Sequence, residues 1–175
     1  MFYNLIKPSV LNIFMTGLYL GAIQLNLSLI IMEKISSEIL WYFTLLTTWI
    51  SASILGTFYD KYAYVNFKSN SPKLNSIILV LTLILNIYLS LTFNQYSVSQ
   101  ALIIMGISLN GFYGGIFLSG QFRLNKNPNI LLIENNGFIA GFILGYIFLF
   151  SSPASLNTVI ISLNILLLYF RLVNV

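Results

Sequence analysis

Eight basic residues punctuate this chain, and cutting it at its apolar runs leaves seven of them on one side. The runs cover residues 9–32, 38–58, 74–94, 101–120, 130–150 and 155–173. About 20 apolar residues span a hydrocarbon core of roughly 30 Å as a helix, so each run is a candidate transmembrane span. The N-terminus, second loop, fourth loop and C-terminus then share a face. They carry Lys7, then Lys61, Lys68 and Lys73, then Arg123 and Lys126, then Arg171; the opposite loops carry only Lys34. Lys and Arg are retained on the cytoplasmic side of short loops. The partition predicts an all-α polytopic membrane protein of six transmembrane helices, one domain over 1–175, with both termini cytoplasmic.

Composition narrows the class. A mean hydropathy of +0.88, with 58% hydrophobic and 7% charged residues, excludes an ordinary soluble domain. The longest predicted loop, Tyr59 to Lys73, is too short to fold alone. The net charge of +4 flanks spans instead of forming a patch, so it reads as topology and attraction to anionic lipid, with no nucleic-acid partner. Cys and His are absent, which removes disulfides, thiol nucleophiles, imidazole bases and metal or haem ligation through those side chains. The acids are Glu33, Glu38, Asp60 and Glu134. No P-loop, dinucleotide fingerprint or Ser/His/Asp set is present, so neither a cofactor nor stand-alone catalysis is expected. Abundant Ile, Asn, Lys, Phe and Tyr match an A/T-rich genome. The expected location is a bacterial inner membrane, with the mitochondrial inner membrane as the alternative. The first run continues past Gly17 and Gly21 to Met32, too long for a signal-peptide core, and reads as a retained span.

Punctuation agrees with the cut. Pro8 opens the first span, Ser69-Asn70-Ser71-Pro72-Lys73 and Asn125-Lys126-Asn127-Pro128-Asn129 are turn clusters, and Ser151-Ser152-Pro153 separates the last two spans. Spans three and six are dominated by Leu and Ile and are expected to face lipid. Spans four and five differ, with Gly111, Gly115 and Ser119 in one and Gly137, Gly141 and Gly145 in the other. A spacing of four places small residues on one helix face, where backbones approach closely. Static packing and a moving, ligand-lining helix pair are both compatible with this pattern.

Glu134 is the acid placed inside a span, next to Asn135 and Asn136 and ahead of the glycine face. A carboxylate at membrane depth is costly and often functional. With Asn135 and Asn110 it forms the candidate coupling or substrate contact. The competing readings are a helix-N-terminus role or an ion pair with Arg123 or Lys126. Gln24, Asn26, Asn86, Asn110 and Asn164 are candidates for hydrogen bonds between helices. Trp41, Tyr42 and Tyr96 on one side, and Tyr59, Tyr62 and Tyr64 on the other, suit aromatic belts.

Gly56-Thr57-Phe58-Tyr59-Asp60-Lys61 has the form Gly-x-x-x-Asp-basic and resembles the loop between spans two and three of major-facilitator transporters. Four stretches together carry a wider likeness. They are Phe14 to Gly17; Ser36 to Asp60 with its small residues Ser51, Ala52 and Gly56; Gly111 to Phe122 with Gly114-Gly115 and Gly120-Gln121-Phe122; and Ile133 to Gly145. In these the chain resembles the membrane region of spermidine-synthase-like bacterial membrane proteins. Arg123 stands where that family's proline falls, Glu134 replaces the usual Asp, and the soluble synthase domain has no counterpart, so aminopropyl transfer is not implied. The resemblance implies a stand-alone six-helix module similar to half a transporter, working as a homo-oligomer or with other membrane subunits. The alternative is a hydrophobic structural subunit of a larger membrane complex, for example a respiratory one.

Overall fold

The computed structural model describes residues 8–34, 39–67, 72–92, 100–124 and 129–173. Six helices occupy them: α1 (Pro8–Lys34), α2 (Ile39–Phe67), α3 (Pro72–Thr92), α4 (Gln100–Leu124), α5 (Ile130–Ser151) and α6 (Pro153–Val173). Pro8, Pro72 and Pro153 each stand at the first position of a helix, where the missing N–H costs nothing and the fixed φ suits the turn. Between α5 and α6 the backbone is extended at Ser152 (φ −174°, ψ 153°). Its hydroxyl accepts from the Ser155 N–H at 3.1 Å and caps α6.

Two helices run past their expected ends: α4 continues to Leu124, which makes Arg123 helical, and the longer extension is in α2. Tyr59 to Phe67 belong to α2 and not to a loop. No helix breaker occurs before the Ser69-to-Pro72 cluster, and Asp60 is anchored to a neighbouring helix, so the helix runs on beyond its apolar stretch. Asp60 and Lys61 are therefore helical positions.

Four helices are long and apolar enough to cross a membrane: Val10–Met32, Ile39–Val65, Gln100–Leu124 and Ile130–Ser151. The apolar stretches of α3 and α6, Ser76–Leu89 and Ala154–Phe170, are shorter. Large apolar side chains cover the outer surface, among them Leu40, Phe43, Leu55 and Phe58 on α2 and Ile139, Ile147 and Phe150 on α5. A surface of this kind suits lipid and not water.

Helices α1 and α4 form the centre. α5 lies along α1, α2 lies along α4, and α3 and α6 pack on each other behind them, touching α4 and α1 respectively. Exchanging the first three helices for the last three returns nearly the same set of neighbours. The exception is that α5 touches α6, whereas α2 and α3 do not pack extensively. The interior repeats with the same exchange. Gly17, Tyr19 and Gly21 of α1 have the spacing of Gly111, Tyr113 and Gly115 of α4, and all six are buried. On α3 the buried Ile78, Leu79, Thr82, Asn86 and Leu89 match Leu156, Asn157, Ile160, Asn164 and Leu167 on α6.

Two backbone seams hold these pairs together. In the α1–α5 seam a methyl group at Gly17 or Gly21 would overlap the carbonyls of Glu134 or Phe138, and one at Gly137 or Gly141 those of Phe14 or Leu18. In the α2–α4 seam the same holds for Gly56 against Phe112, Gly111 against Trp49 and Gly115 against Ser53. Gly145 is looser, closest to the Leu25 side chain. The glycine faces of α4 and α5 thus turn to different partners, α2 and α1. Only glycine permits this backbone contact, which gains dispersion and weak Cα–H···O interactions where burial from water gains little.

Candidate functional site

Three polar clusters lie inside this apolar bundle. The first joins four helices. Tyr19 on α1 donates its hydroxyl to Asn110 Oδ1 on α4 at 2.6 Å. The same hydroxyl accepts from Asn86 Nδ2 on α3 and Asn164 Nδ2 on α6, each at 3.1 Å. Asn164 also donates to Thr82 at 3.1 Å, and Asn110 to the Gly106 carbonyl at 2.8 Å. Asn26 of α1 donates to Asn157 of α6 at 3.0 Å. Asn86, Asn110, Asn164 and Asn26 therefore act as interhelical links. Tyr19 and Thr82, which sequence reasoning passed over, complete the set. The repeated Gly-x-Tyr-x-Gly spacing was the available signal for Tyr19. Asn110 belongs to this hub and not to the surroundings of Glu134.

The second cluster closes the basic end of α2 and α4. Asp60, fully buried, receives two hydrogen bonds from Arg123, Nη1 to Oδ2 at 2.8 Å and Nη2 to Oδ1 at 3.1 Å. The guanidinium also lies 4.2 Å from the centre of the Tyr64 ring. Such forked pairing is the strong form of a charge-assisted hydrogen bond, and Arg123 in the last turn of α4 complements that helix's dipole. Lys61 is exposed beside it.

The third is Glu134. Arg123 is committed to Asp60, so the expected pair with Glu134 is absent, and Lys126 lies outside the described residues. Glu134 also sits past the first turn of α5, beyond the reach of a helix-terminus effect. Its backbone packs on Gly17, roughly 14 Å of helix rise beyond Pro8, which places it in the body of the bundle. Glu134 is 7% exposed, and among the described residues its carboxylate has no hydrogen bond or ion pair. Asn135 and Asn136 are exposed and point away.

Glu134 lines a groove of about 250 Å³ between α2 and α5, floored by α1 and α4. Trp49, Ser53, Thr57, Gly115 and Phe138 share its walls. Ser53 donates to the carbonyls of Trp49 at 2.9 Å and Gly111 at 3.0 Å, and Thr57 to that of Ser53 at 3.0 Å. These hydroxyls satisfy the seam and present acceptor lone pairs. A larger depression of about 540 Å³ on the other side of the α2–α4 seam contains hydroxyls but no charge. The groove is the candidate site because it alone of the two holds a carboxylate, one without a partner among the described residues.

Comparison with protein-family models, curated proteins and solved structures finds no match to this chain.

Proposed function

We propose that the chain is a six-span membrane module, both termini cytoplasmic, built like half of a transporter, whose α2–α5 groove is completed by a second copy or by a partner membrane subunit. One observation carries this reading: a carboxylate without a partner among the described residues stands deep in an apolar bundle and opens to a groove. Such a group is expensive against hydrocarbon and marks a substrate or ion path when it faces protein or water. The exchange of helices 1–3 with helices 4–6 supports the reading, because transporter halves are built from repeats with their site where the repeats meet. The resemblance of Gly56 to Lys61 to the major-facilitator loop agrees with it, and the anchored Asp60 gives that segment a structural task.

The natural chain has no cysteine, which makes single-cysteine cross-linking in membranes the direct test. Ile54→Cys beside the groove is expected to yield a disulfide-linked homodimer on oxidation, while Val80→Cys on α3 is not. An Ile54→Cys adduct with a different protein instead supports the larger-complex alternative. Cross-linking from Val80→Cys alone puts lipid over the groove and overturns the reading.

A further inference from the structure

The exchange of halves puts two particular residues in equivalent places. The Glu134 carbonyl lies over Gly17 as the Trp49 carbonyl lies over Gly111, and Phe138 lies over Gly21 as Ser53 lies over Gly115. All four outer residues line the same groove. One repeat therefore brings a carboxylate to it and the other brings an indole. A cation in this groove would share its lining with a carboxylate and with the most favourable aromatic side chain for a cation.

We propose that this groove binds a small monovalent organic ammonium, with Glu134 as its counter-ion and Trp49 as its aromatic wall. The inference rests on the groove being a shielded membrane site, as read above. The rest of the lining selects the class. A divalent metal ion wants several charged or carbonyl oxygen ligands, and among the described residues no group of three His, Cys, Asp or Glu side chains that could hold one exists. The Ser53 and Thr57 protons are already given to carbonyls. A single carboxylate balances one positive charge, and Ile50, Ile54 and Leu118 suit alkyl groups around it. At about 250 Å³ the groove lies below the usual range for drug-sized ligands, so the ammonium is small.

The test uses choline and its uncharged carbon isostere, 3,3-dimethylbutan-1-ol, titrated against the full chain in nanodiscs of phosphatidylglycerol, a lipid without an ammonium. Trp41→Phe leaves Trp49 as the single indole, and its emission reports occupancy. Choline is expected to bind about tenfold or more tighter than the isostere, the scale of a hydrogen bond or contact to a charged group. Glu134→Gln is expected to erase that preference, and Glu134→Asp to retain it. Trp49→Leu, read by isothermal titration calorimetry because it removes the indole reporter, should weaken choline by about threefold to thirtyfold, and Trp49→Phe, read the same way, by less. Equal binding of the two probes by the natural chain overturns the proposal, whether or not the variants fold. So does choline binding that Glu134→Gln leaves unchanged. Repeating the titration with phosphatidylethanolamine present separates the sources. Competition assigns the site to a lipid headgroup and unchanged affinity to a free ammonium, and either result keeps the ammonium site. An intact Ile54→Cys cross-link without choline binding overturns the cation site and leaves the half-transporter reading standing.

Discussion

The α1–α5 and α2–α4 seams are two versions of one joint, and they diverge at three places. Both use glycine to press backbone on backbone. The first presents Glu134 to the groove where the second presents Trp49. At the basic end the second carries the Asp60–Arg123 ion pair, whereas the equivalent stretch of the first carries Gly145. In the centre, Tyr19 is the hub of a hydrogen-bond network, whereas its counterpart Tyr113 has a buried hydroxyl without a partner. The shared features build the scaffold. The differences are where charge has been placed, and charge in an apolar bundle is kept only at a cost.

The largest effects test whether the seams are equivalent. Gly21→Val and Gly115→Val each drive a branched side chain into a carbonyl that cannot move aside, and each is expected to cost about 3 kcal/mol or more. Loss of a monodisperse peak in size-exclusion chromatography is the readout. A tolerated substitution in one seam alone would break the equivalence. Arg123→Ala comes next. It removes both of the arginine's hydrogen bonds from a buried carboxylate, and the expected cost is about 3 kcal/mol, the lower end for a broken buried pair because the arginine is 21% exposed. Denaturant titration measures it, and Asp60→Asn in the same background should recover part of the loss.

The tyrosines sharpen the comparison. Tyr19→Phe removes one donor and one acceptor serving three asparagines and should cost about 1–2 kcal/mol. Tyr113→Phe removes an unsatisfied hydroxyl and should be neutral or stabilising, so equal losses at the two positions would refute the asymmetry of the hub. The smallest effect belongs to Gly120→Ala. No atom lies within 4 Å of the added methyl group, and the helix should gain about 0.5–1 kcal/mol from propensity. Thermal unfolding of the variant beside Gly115→Val separates glycines that touch a backbone from one that does not.

Much of the framework was readable from the chain. Helix identity follows from continuous apolar runs, and Pro8, Pro72 and Pro153 mark three helix starts. The small-residue faces of Gly111, Gly115, Gly137 and Gly141 announce close approach. What they approach is not written in spacing. A glycine stripe names a face without naming its partner, and α4 and α5 turned to α2 and α1 and not to each other. The end of α2 differs from the sequence reading because hydropathy falls at Tyr59, while the helix runs on to Phe67 with no breaker in the sequence before Ser69 to Pro72. Arg123 could have met either Asp60 or Glu134 on charge alone. Tertiary geometry chose Asp60, and among the described residues that choice leaves Glu134 without a partner. Trp49 carried no signal as a single residue; only the fold brings it into the lining of the same groove as Glu134.

The Tyr19 hub also governs the order in which the molecule is completed during synthesis. Tyr19 is made early, yet Asn164 reaches it from 145 residues further along, and the glycine seam of α1 requires α5. The most deeply enclosed helix therefore waits for α5 and α6 to be made before its polar and small-residue faces are covered. Until then the nascent N-terminal half carries a bare glycine stripe and uncoupled amides in the bilayer. A chain ending after α4 would leave the bundle open along its centre, with the Tyr19 hydroxyl and the α1 glycines uncovered.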